Sequence, residues 1–275
     1  MKNLLYFFRI IRLKNALMAA VGIAIGWLYC NSNLAISDLI FRVLAGFFAL
    51  GYGNIINDIK DVKTDKISHP DRLLPSNKIS LRTAVIFAVI CVIFSIVAGF
   101  LSSPIIGIAT IIPLLLLTLY SLFLKATPFA GNLLVAALTA YTLIFGGLGE
   151  NLEKILYPAI LAFLANFARE IVKDLADEEG DKAAGLRTTS SIPLSYVKVV
   201  IFLQFIAFAT IAPLPFLFGF LGATYILITA SFVAPLHFLY LKYFGKTEYK
   251  KAADVLKVQM LVGLFAVVAD YFFKL

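Results

Sequence analysis

Six aspartates form two clusters of one pattern: Asp58, Asp61 and Asp65, then Asp174, Asp177 and Asp181, each 116 residues from its counterpart. A fixed offset of this kind marks a repeated structural unit, so the clusters read as two equivalent half-sites facing each other. Six carboxylates brought together away from bulk water repel strongly unless cations stand between them. The chemistry they suggest is that of a divalent metal site. Oxygen donors alone suit a hard ion, Mg²⁺ first, and the absence of His and Cys from the clusters argues against zinc. An Mg²⁺ ion held by few carboxylates is commonly completed by the phosphate oxygens of a substrate. A phosphorylated substrate follows, with Arg72, Lys125, Lys173, Lys182 and Arg187 as candidate diphosphate contacts. Lys125 stands out as the one charge in residues 83–149.

In the stretch GNIINDIKDVKTDKISHPDR, helical spacing puts Asn54, Asp58, Asp61 and Asp65 on one narrow arc. Asn57, four residues before Asp61, joins that set if the helix bends or unwinds there. Glu170, Asp174, Asp177 and Asp181 repeat the arc, and Gly180 is expected to end the regular helix. A single D-x-x-D is more often a solvated helix end paired with adjacent lysines. Two in register at membrane boundaries, where ionisable groups are costly, point instead to a site. His69 and His237 have no ligand partner at metal spacing and read as structural, and Cys30 and Cys91 read as small core residues.

The elements that must position these acids are membrane helices. With 61% hydrophobic and 15% charged residues over 275, and a mean hydropathy of +0.93, the chain lies outside the range of a soluble domain. Apolar runs near the ~20 residues that cross a bilayer fall at 15–31, 38–57, 83–102, 104–124, 130–149, 155–173, 195–213, 215–240 and 254–273. The expectation is an all-α membrane protein of about nine transmembrane helices, residues 1–275 forming a single domain, with a pseudo-repeat relating the acidic motifs. The boundary between the third and fourth spans rests on Ser102-Ser103-Pro104. Residues 1–14 mix Leu4, Leu5, Phe7, Phe8 and Ile11 with four basic residues, as an interfacial amphipathic helix does. Trp27-Leu28-Tyr29-Cys30 offers no cleavage site for a signal peptide.

Most of the 24 basic residues lie in the N-terminal segment and in the second–third, fourth–fifth, sixth–seventh and eighth–ninth connections; Arg42, Lys154 and Lys274 fall on the other side. Positive charge collects on the cytoplasmic face. The N-terminus and both acidic motifs of this multi-pass cell-membrane protein are therefore expected in the cytoplasm and the C-terminus outside. The net charge of +8 is spread over membrane-flanking loops, which suits anionic lipid headgroups rather than nucleic acid.

A phosphate site walled by membrane helices calls for an apolar remainder, an isoprenoid tail being the natural candidate, and aromatic faces among the 25 Phe and 12 Tyr suit a carbocation. NDIKDVKTD followed by HPDRLLPSNKIS resembles the first signature of the UbiA superfamily of intramembrane prenyltransferases, and KDLADEEGDKAAGLRT resembles its second. YSLFLKATPFAGN is similar to the family's fourth-to-fifth connection, and IRLKNALMA to its first-helix segment. The resemblance implies a nine-helix bundle around a central cavity open to the membrane, and Mg²⁺-dependent transfer of a prenyl group from its diphosphate to a lipophilic acceptor. It implies two metal ions, one held by Asn57, Asp58, Asp61 and Asp65 and the other by Asp174, Asp177 and Asp181. Arg72, Lys125 and Lys182 would grip the diphosphate, Tyr120 and Asn15 would line the reacting end, and Asp61, Asp177, Lys125 and Tyr120 would carry catalysis. No obligate protein partner is implied.

Pro70, Arg72, Pro75 and Ser76 match the first loop of the archaeal-type branch of the family, which prenylates a glycerol phosphate ether; His69 and Leu73 depart from it. That branch implies a geranylgeranyl donor and geranylgeranylglyceryl phosphate as acceptor. The alternative within the family is prenylation of an aromatic acid of the 4-hydroxybenzoate type in quinone synthesis. An alternative of another class is a cation transporter whose paired acids form an ion site, although such sites lie near the membrane midplane. The D-G-x-x-A-R signature of a CDP-alcohol phosphotransferase is not present.

Overall fold

The computed structural model describes residues 2–30, 35–149, 151–183 and 185–273. Lys274, assigned by its charge to the outer side, lies outside the described residues. Among those described there is no strand, and the helices are α1 Lys2–Ile10, α2 Leu13–Cys30, α3 Ile36–Lys60, α4 Val62–Ser68, α5 Leu81–Ser102, α6 Pro104–Leu119, α7 Ala130–Gly147, α8 Glu153–Ala176, α9 Glu178–Ala183, α10 Leu194–Ile211, α11 Leu214–Leu217, α12 Ala223–Ile228, α13 Ala234–Gly245 and α14 Tyr249–Phe272. Nine spans are long and apolar enough to cross a bilayer among the described residues: α2, α3, α5, α6 with a π turn through Leu124, α7, α8, α10 with α11, α12 with α13, and α14. The third–fourth boundary falls where expected. Ser103 caps α6, its side chain accepting from the Ile106 N–H, with Pro104 in the first turn, where a missing N–H costs nothing.

The expected eighth span, 215–240, is shifted. Pro213 and Pro215 do not end the seventh span, because both sit at the start of the short α11, where proline is tolerated. The turn comes at Gly219, whose φ of +72° only glycine adopts freely, and the eighth span starts at Ala223.

The pseudo-repeat is visible in the backbone. α3 ends at Lys60 and α8 at Ala176, the same 116 residues apart as the acids, and the next residue in each, Asp61 (φ −87°, ψ 0°) and Asp177 (φ −102°, ψ 9°), interrupts the helix. The hydrogen bonds across the two breaks also correspond: Asp61 N–H to Asn57 O and Asp177 N–H to Lys173 O, then Asp65 N–H to Asp61 O and Asp181 N–H to Asp177 O. Gly180 does not end the helix. It lies inside α9, and the break has already come three residues earlier.

Close helix crossings and buried polar clamps fix the frame around the site. A Cβ on Gly26 would lie 2.0 Å from the Leu143 carbonyl oxygen, and one on Gly146 would lie 1.9 Å from that of Ile23, so α2 and α7 touch backbone to backbone. Arg42 is buried, pairs with Asp38 at 2.8 Å, and donates to the carbonyls of Gly146 (3.0 Å) and Leu148 (2.5 Å). Asp38 also accepts from Trp27 Nε1 at 2.8 Å and from the Ser102 hydroxyl. Asp270, fully buried, accepts from the backbone N–H groups of Gly222 (2.9 Å) and Tyr225 (3.1 Å), capping α12 from a neighbouring helix. His237 stacks between Phe205 and Phe208 and bonds Gln259, a structural role as expected. α1 leaves Leu4, Leu5 and Phe8 exposed while Ile10 is buried, in keeping with a helix lying in the interface.

Candidate functional site

Two helix ends build the site. On the first, Asn57 accepts from the Ser121 hydroxyl, and one turn on Asp61 pairs with Lys125. Ser121 and Lys125 match Asn57 and Asp61 rung for rung at the end of α6, which closes in a π turn over Tyr120–Leu124, a widened turn frequent at functional sites. Asn54 turns away from the acids and donates to the Ile11 carbonyl at 2.8 Å. Both asparagines lie within α3, before the bend at Asp61, and it is their partners that set them apart: Asn57 meets Ser121 and Asn54 the Ile11 carbonyl. Asp58 accepts from Arg12 Nη2 at 2.6 Å, with Arg72 Nη1 3.9 Å away, and Asp65 pairs with Arg72 at 2.6 Å.

The second helix end holds its acids differently. Asp174 accepts from Asn132 Nδ2 at 3.0 Å and from the Thr189 N–H at 3.1 Å, and the Thr189 hydroxyl donates to Asn132 Oδ1 at 2.6 Å. Asp181 accepts from the Thr188 hydroxyl at 2.7 Å, seven residues on, in the place where Asp65 has Arg72. Asp177 makes no side-chain hydrogen bond or ion pair among the described residues. Cations therefore balance the first cluster, while neutral donors alone hold the second. Burial, aided by the charge of Asp177, pushes Asp181 above its ordinary value against the Thr188 hydrogen bond and the charge of Lys125. The two helix ends meet at one place: Asn57 of the first and Glu170 of the second line a single cavity together with Tyr120, and the charge of Lys125, from the end of α6, reaches Asp181.

Below this centre is a cavity of 450 Å³. Its polar end is formed by Asn15, Asn57, Tyr120, Arg169, Glu170 and Lys173, with Asp61 one turn beyond Asn57 and Asp174 one turn beyond Glu170. Glu170 is held by Arg169 at 2.7 Å and Lys173 at 2.8 Å, and the buried Arg169 Nε has no hydrogen-bond partner. The apolar end reaches Ala45 on α3 and Pro158 on α8, each twelve residues below the polar end, or about 18 Å at ~1.5 Å per residue. A second, polar pocket of 280 Å³ lies beside Asp58, lined by Arg9, Arg12, His69, Asp71 and Arg72.

Asn57, Asp61, Tyr120, Lys125, Asp174, Asp177 and Asp181 are thus gathered near the cavity mouth, with Asn15 on its wall. Lys182 is not: it pairs with Glu178 at 2.5 Å on an exposed face, because α9 carries it outward. Arg72 faces the second pocket, as does His69, which the sequence suggested to be merely structural. Among the described residues no three His, Cys, Asp or Glu side chains converge tightly enough to hold an ion between them. The donor set is nonetheless all oxygen, Asp177 is unpaired, and the ammonium of Lys125 already stands against Asp61. These residues fit a hard cation that would compete with Lys125. Arg12, Ser121, Asn132, Thr188 and Thr189 were missed from sequence; a lone Asn in the apolar α7 was the one available signal.

Fold and site together define a polytopic helical membrane protein of twofold-repeated design, with an acidic, cation-laced mouth over a long apolar cavity. The UbiA prenyltransferase family profile matches residues 15–265, and the chain belongs to that family of prenyltransferases. It is 36% identical over 263 residues to digeranylgeranylglyceryl phosphate synthase of Methanopyrus kandleri, covering 93% of this chain and 95% of that one. A solved structure of a digeranylgeranylglyceryl phosphate synthase superposes with a TM-score of 0.82 at 31% identity, covering 98% of this chain and 99% of the other. A UbiA homologue from Archaeoglobus fulgidus, solved with GPP and Mg²⁺ bound, shares the fold with a TM-score of 0.66 at 14% identity over 96% of this chain and 99% of that one.

Proposed function

We propose that this prenyltransferase, acting as a single transmembrane domain, moves a geranylgeranyl group from its diphosphate to the free hydroxyl of geranylgeranylglyceryl phosphate, a step of ether-lipid synthesis. The observation that carries the reading is the alignment of the apolar cavity with an acid mouth built from both half-sites. A leaflet's acyl chains occupy about 15 Å, half of the ~30 Å hydrocarbon core, and a geranylgeranyl tail of similar length suits a cavity about 18 Å deep. Likeness to relatives named for this reaction, at 36% identity over nearly the whole chain, supports the acceptor.

Asn57, Asp61 and Asp65, with Asp58 beside them, and Asp174, Asp177 and Asp181 are the proposed holders of two Mg²⁺ ions. Bound there, the ions would neutralise charge gathering on the departing diphosphate. Lys125 releases Asp61 and turns its ammonium to the diphosphate, joined by Lys173 at the cavity rim. Tyr120 and Asn15 border the allylic carbon, and the Tyr120 ring face stabilises its developing positive charge. The apolar walls keep water from the cation, which water would otherwise consume. Acids at helix ends rather than at the midplane speak against the transporter alternative. The cytoplasmic placement of the N-terminus and both motifs follows from the basic loops.

The test is purified protein given geranylgeranyl diphosphate and Mg²⁺ with geranylgeranylglyceryl phosphate or 4-hydroxybenzoate in parallel. Product from the ether phosphate alone is expected. Product from the aromatic acid alone would replace the acceptor.

A further inference from the structure

The 280 Å³ pocket beside Asp58 is separate from the apolar cavity, and of its lining only Asp58, a proposed metal holder, has a part in the transfer step described above. It is bounded by Arg9 at the end of α1, Arg12 at the α1–α2 joint, and the segment His69–Leu73 that follows α4. Its walls are firmly seated. Leu73, Leu74, Ile10, Ile11 and Ile55 are buried together behind it, the Arg72 N–H donates to the His69 carbonyl at 3.1 Å, and the Ser76 hydroxyl closes on the Arg72 carbonyl at 2.6 Å. Arg12 has a φ of +53°, a left-handed conformation that costs a non-glycine residue and persists only where surroundings over-determine it. Here that conformation sets the Arg12 guanidinium on Asp58 at 2.6 Å.

Three arginines and a histidine from separate segments converge on this hollow, against Asp58 and Asp71 on its wall and Asp65 behind Arg72. Arg9 has no ion pair among the described residues. Arg12 and Arg72 are spoken for only by acids of the first motif. With a cation held by those acids, both guanidinia would lose their partners and three arginines would face the pocket, a donor array suited to a phosphate monoester.

Position decides which phosphate. The pocket touches only the first half-site, whereas a diphosphate leaving from the centre must meet both, near Lys125, Tyr120 and Asp181. It shares α3's last turn with the cavity: Asp58 lines the pocket and its neighbour Asn57 lines the cavity. A phosphate in the pocket leaves a glyceryl group lying across that turn, with its hydroxyl toward the cavity mouth. Resting on the acceptor reading above, we infer that Arg9, Arg12, His69 and Arg72 form the subsite for the phosphate monoester of the acceptor headgroup. Arg72 thereby serves the acceptor rather than the departing diphosphate.

The experiment uses the full-length protein in nanodiscs of neutral lipid and compares wild type with Arg9→Ala, His69→Ala and their double variant, neither residue being a proposed metal holder. Acceptor and donor KM are measured separately, with geranylgeranylglyceryl phosphate and with its dephosphorylated form, geranylgeranylglycerol. Calorimetry with glycerol phosphate, with and without Mg²⁺, gives a readout independent of turnover. The expected result is a tenfold or greater rise in acceptor KM in the double variant, donor KM within twofold, unchanged kinetics with geranylgeranylglycerol, and loss of glycerol phosphate binding. Arg9→Lys is expected to restore most of the acceptor KM. An unchanged acceptor KM in a folded double variant, or a rise in donor KM instead, would overturn the subsite. An effect seen only when anionic lipid replaces neutral lipid would assign the pocket to a lipid headgroup and overturn it too. If wild type ignores the ether phosphate, the acceptor reading fails; glycerol phosphate binding lost in the double variant would still uphold the phosphate site.

Discussion

Ala162 on α8 lines the cavity eight residues below Glu170, about 12 Å along the helix at ~1.5 Å per residue. Replacing it with Phe puts a ring across the lower third of a channel about 18 Å deep. The upper two-thirds would still admit a geranyl tail but not a full geranylgeranyl one. Expelling one isoprene unit, five carbons at ~0.8 kcal/mol per buried CH₂, forfeits about 4 kcal/mol at most. Part of that is regained as the tail folds back, and a loss of about a hundredfold in kcat/KM for geranylgeranyl diphosphate, about 2.7 kcal/mol, is the expected outcome. Geranyl diphosphate should be used about as well as by wild type. The assay compares the two donors at saturating acceptor for Ala162→Leu and Ala162→Phe, with thermal melts to establish that both fold. A graded loss for the long donor only is the expected pattern. A folded Ala162→Phe that uses geranylgeranyl diphosphate within threefold of wild type would refute the assignment of this cavity to the donor tail.

Asp61→Asn and Asp177→Asn should each lower turnover by about a thousandfold or more, since each removes the charge of a proposed metal holder; rates at saturating Mg²⁺ and both substrates check this, and activity within tenfold in either would contradict the proposed pairing of the half-sites. Gly26→Ala should abolish the stable fold, because a Cβ there meets the Leu143 carbonyl oxygen at 2.0 Å; retention of the wild-type melting profile in detergent would be the contrary result. Asp270→Ala strips the cap from Gly222 and Tyr225 and should cost about 2 kcal/mol of stability. Its specific activity should be unchanged below the melt, since it lies at the opposite end of the bundle from the acids.

The sequence carried the pattern of spans and the register of the acids because both are periodic and local: hydropathy marks a helix, and equal offsets mark a repeat. The eighth span slipped because Pro213 and Pro215 read as a boundary, whereas a positive-φ glycine a few residues later makes the actual turn. Arg42 entered only as an outward-facing charge, although its guanidinium is buried among carbonyls of α7, more than 100 residues away in the chain. Lys182 stands beside Asp181 in the sequence and the resemblance gives it to the diphosphate, yet α9 turns it outward to Glu178. Such contacts have no local signal, since they exist only once distant helices have packed.

The repeat also has an asymmetry that motif spacing conceals. Asp65 is held by Arg72 and Asp181 by Thr188 at the same step of seven residues, so one backbone plan supports a charged donor in the first half and a neutral one in the second. The first cluster is balanced before anything binds; the second carries charge that its hydroxyl and amide donors solvate but do not neutralise. A cation entering the second half-site gains Coulomb attraction without displacing an ion pair, while one entering the first must displace Lys125 from Asp61. The second half-site should therefore fill first, and the first should open as the diphosphate draws Lys125 away. Calorimetric Mg²⁺ titration without substrate separates the halves: Asp177→Asn should remove most of the heat and Asp61→Asn little of it. The reverse pattern would mean that the arginines and Lys125 yield to metal unaided, and the charge balance read from these pairs would be wrong.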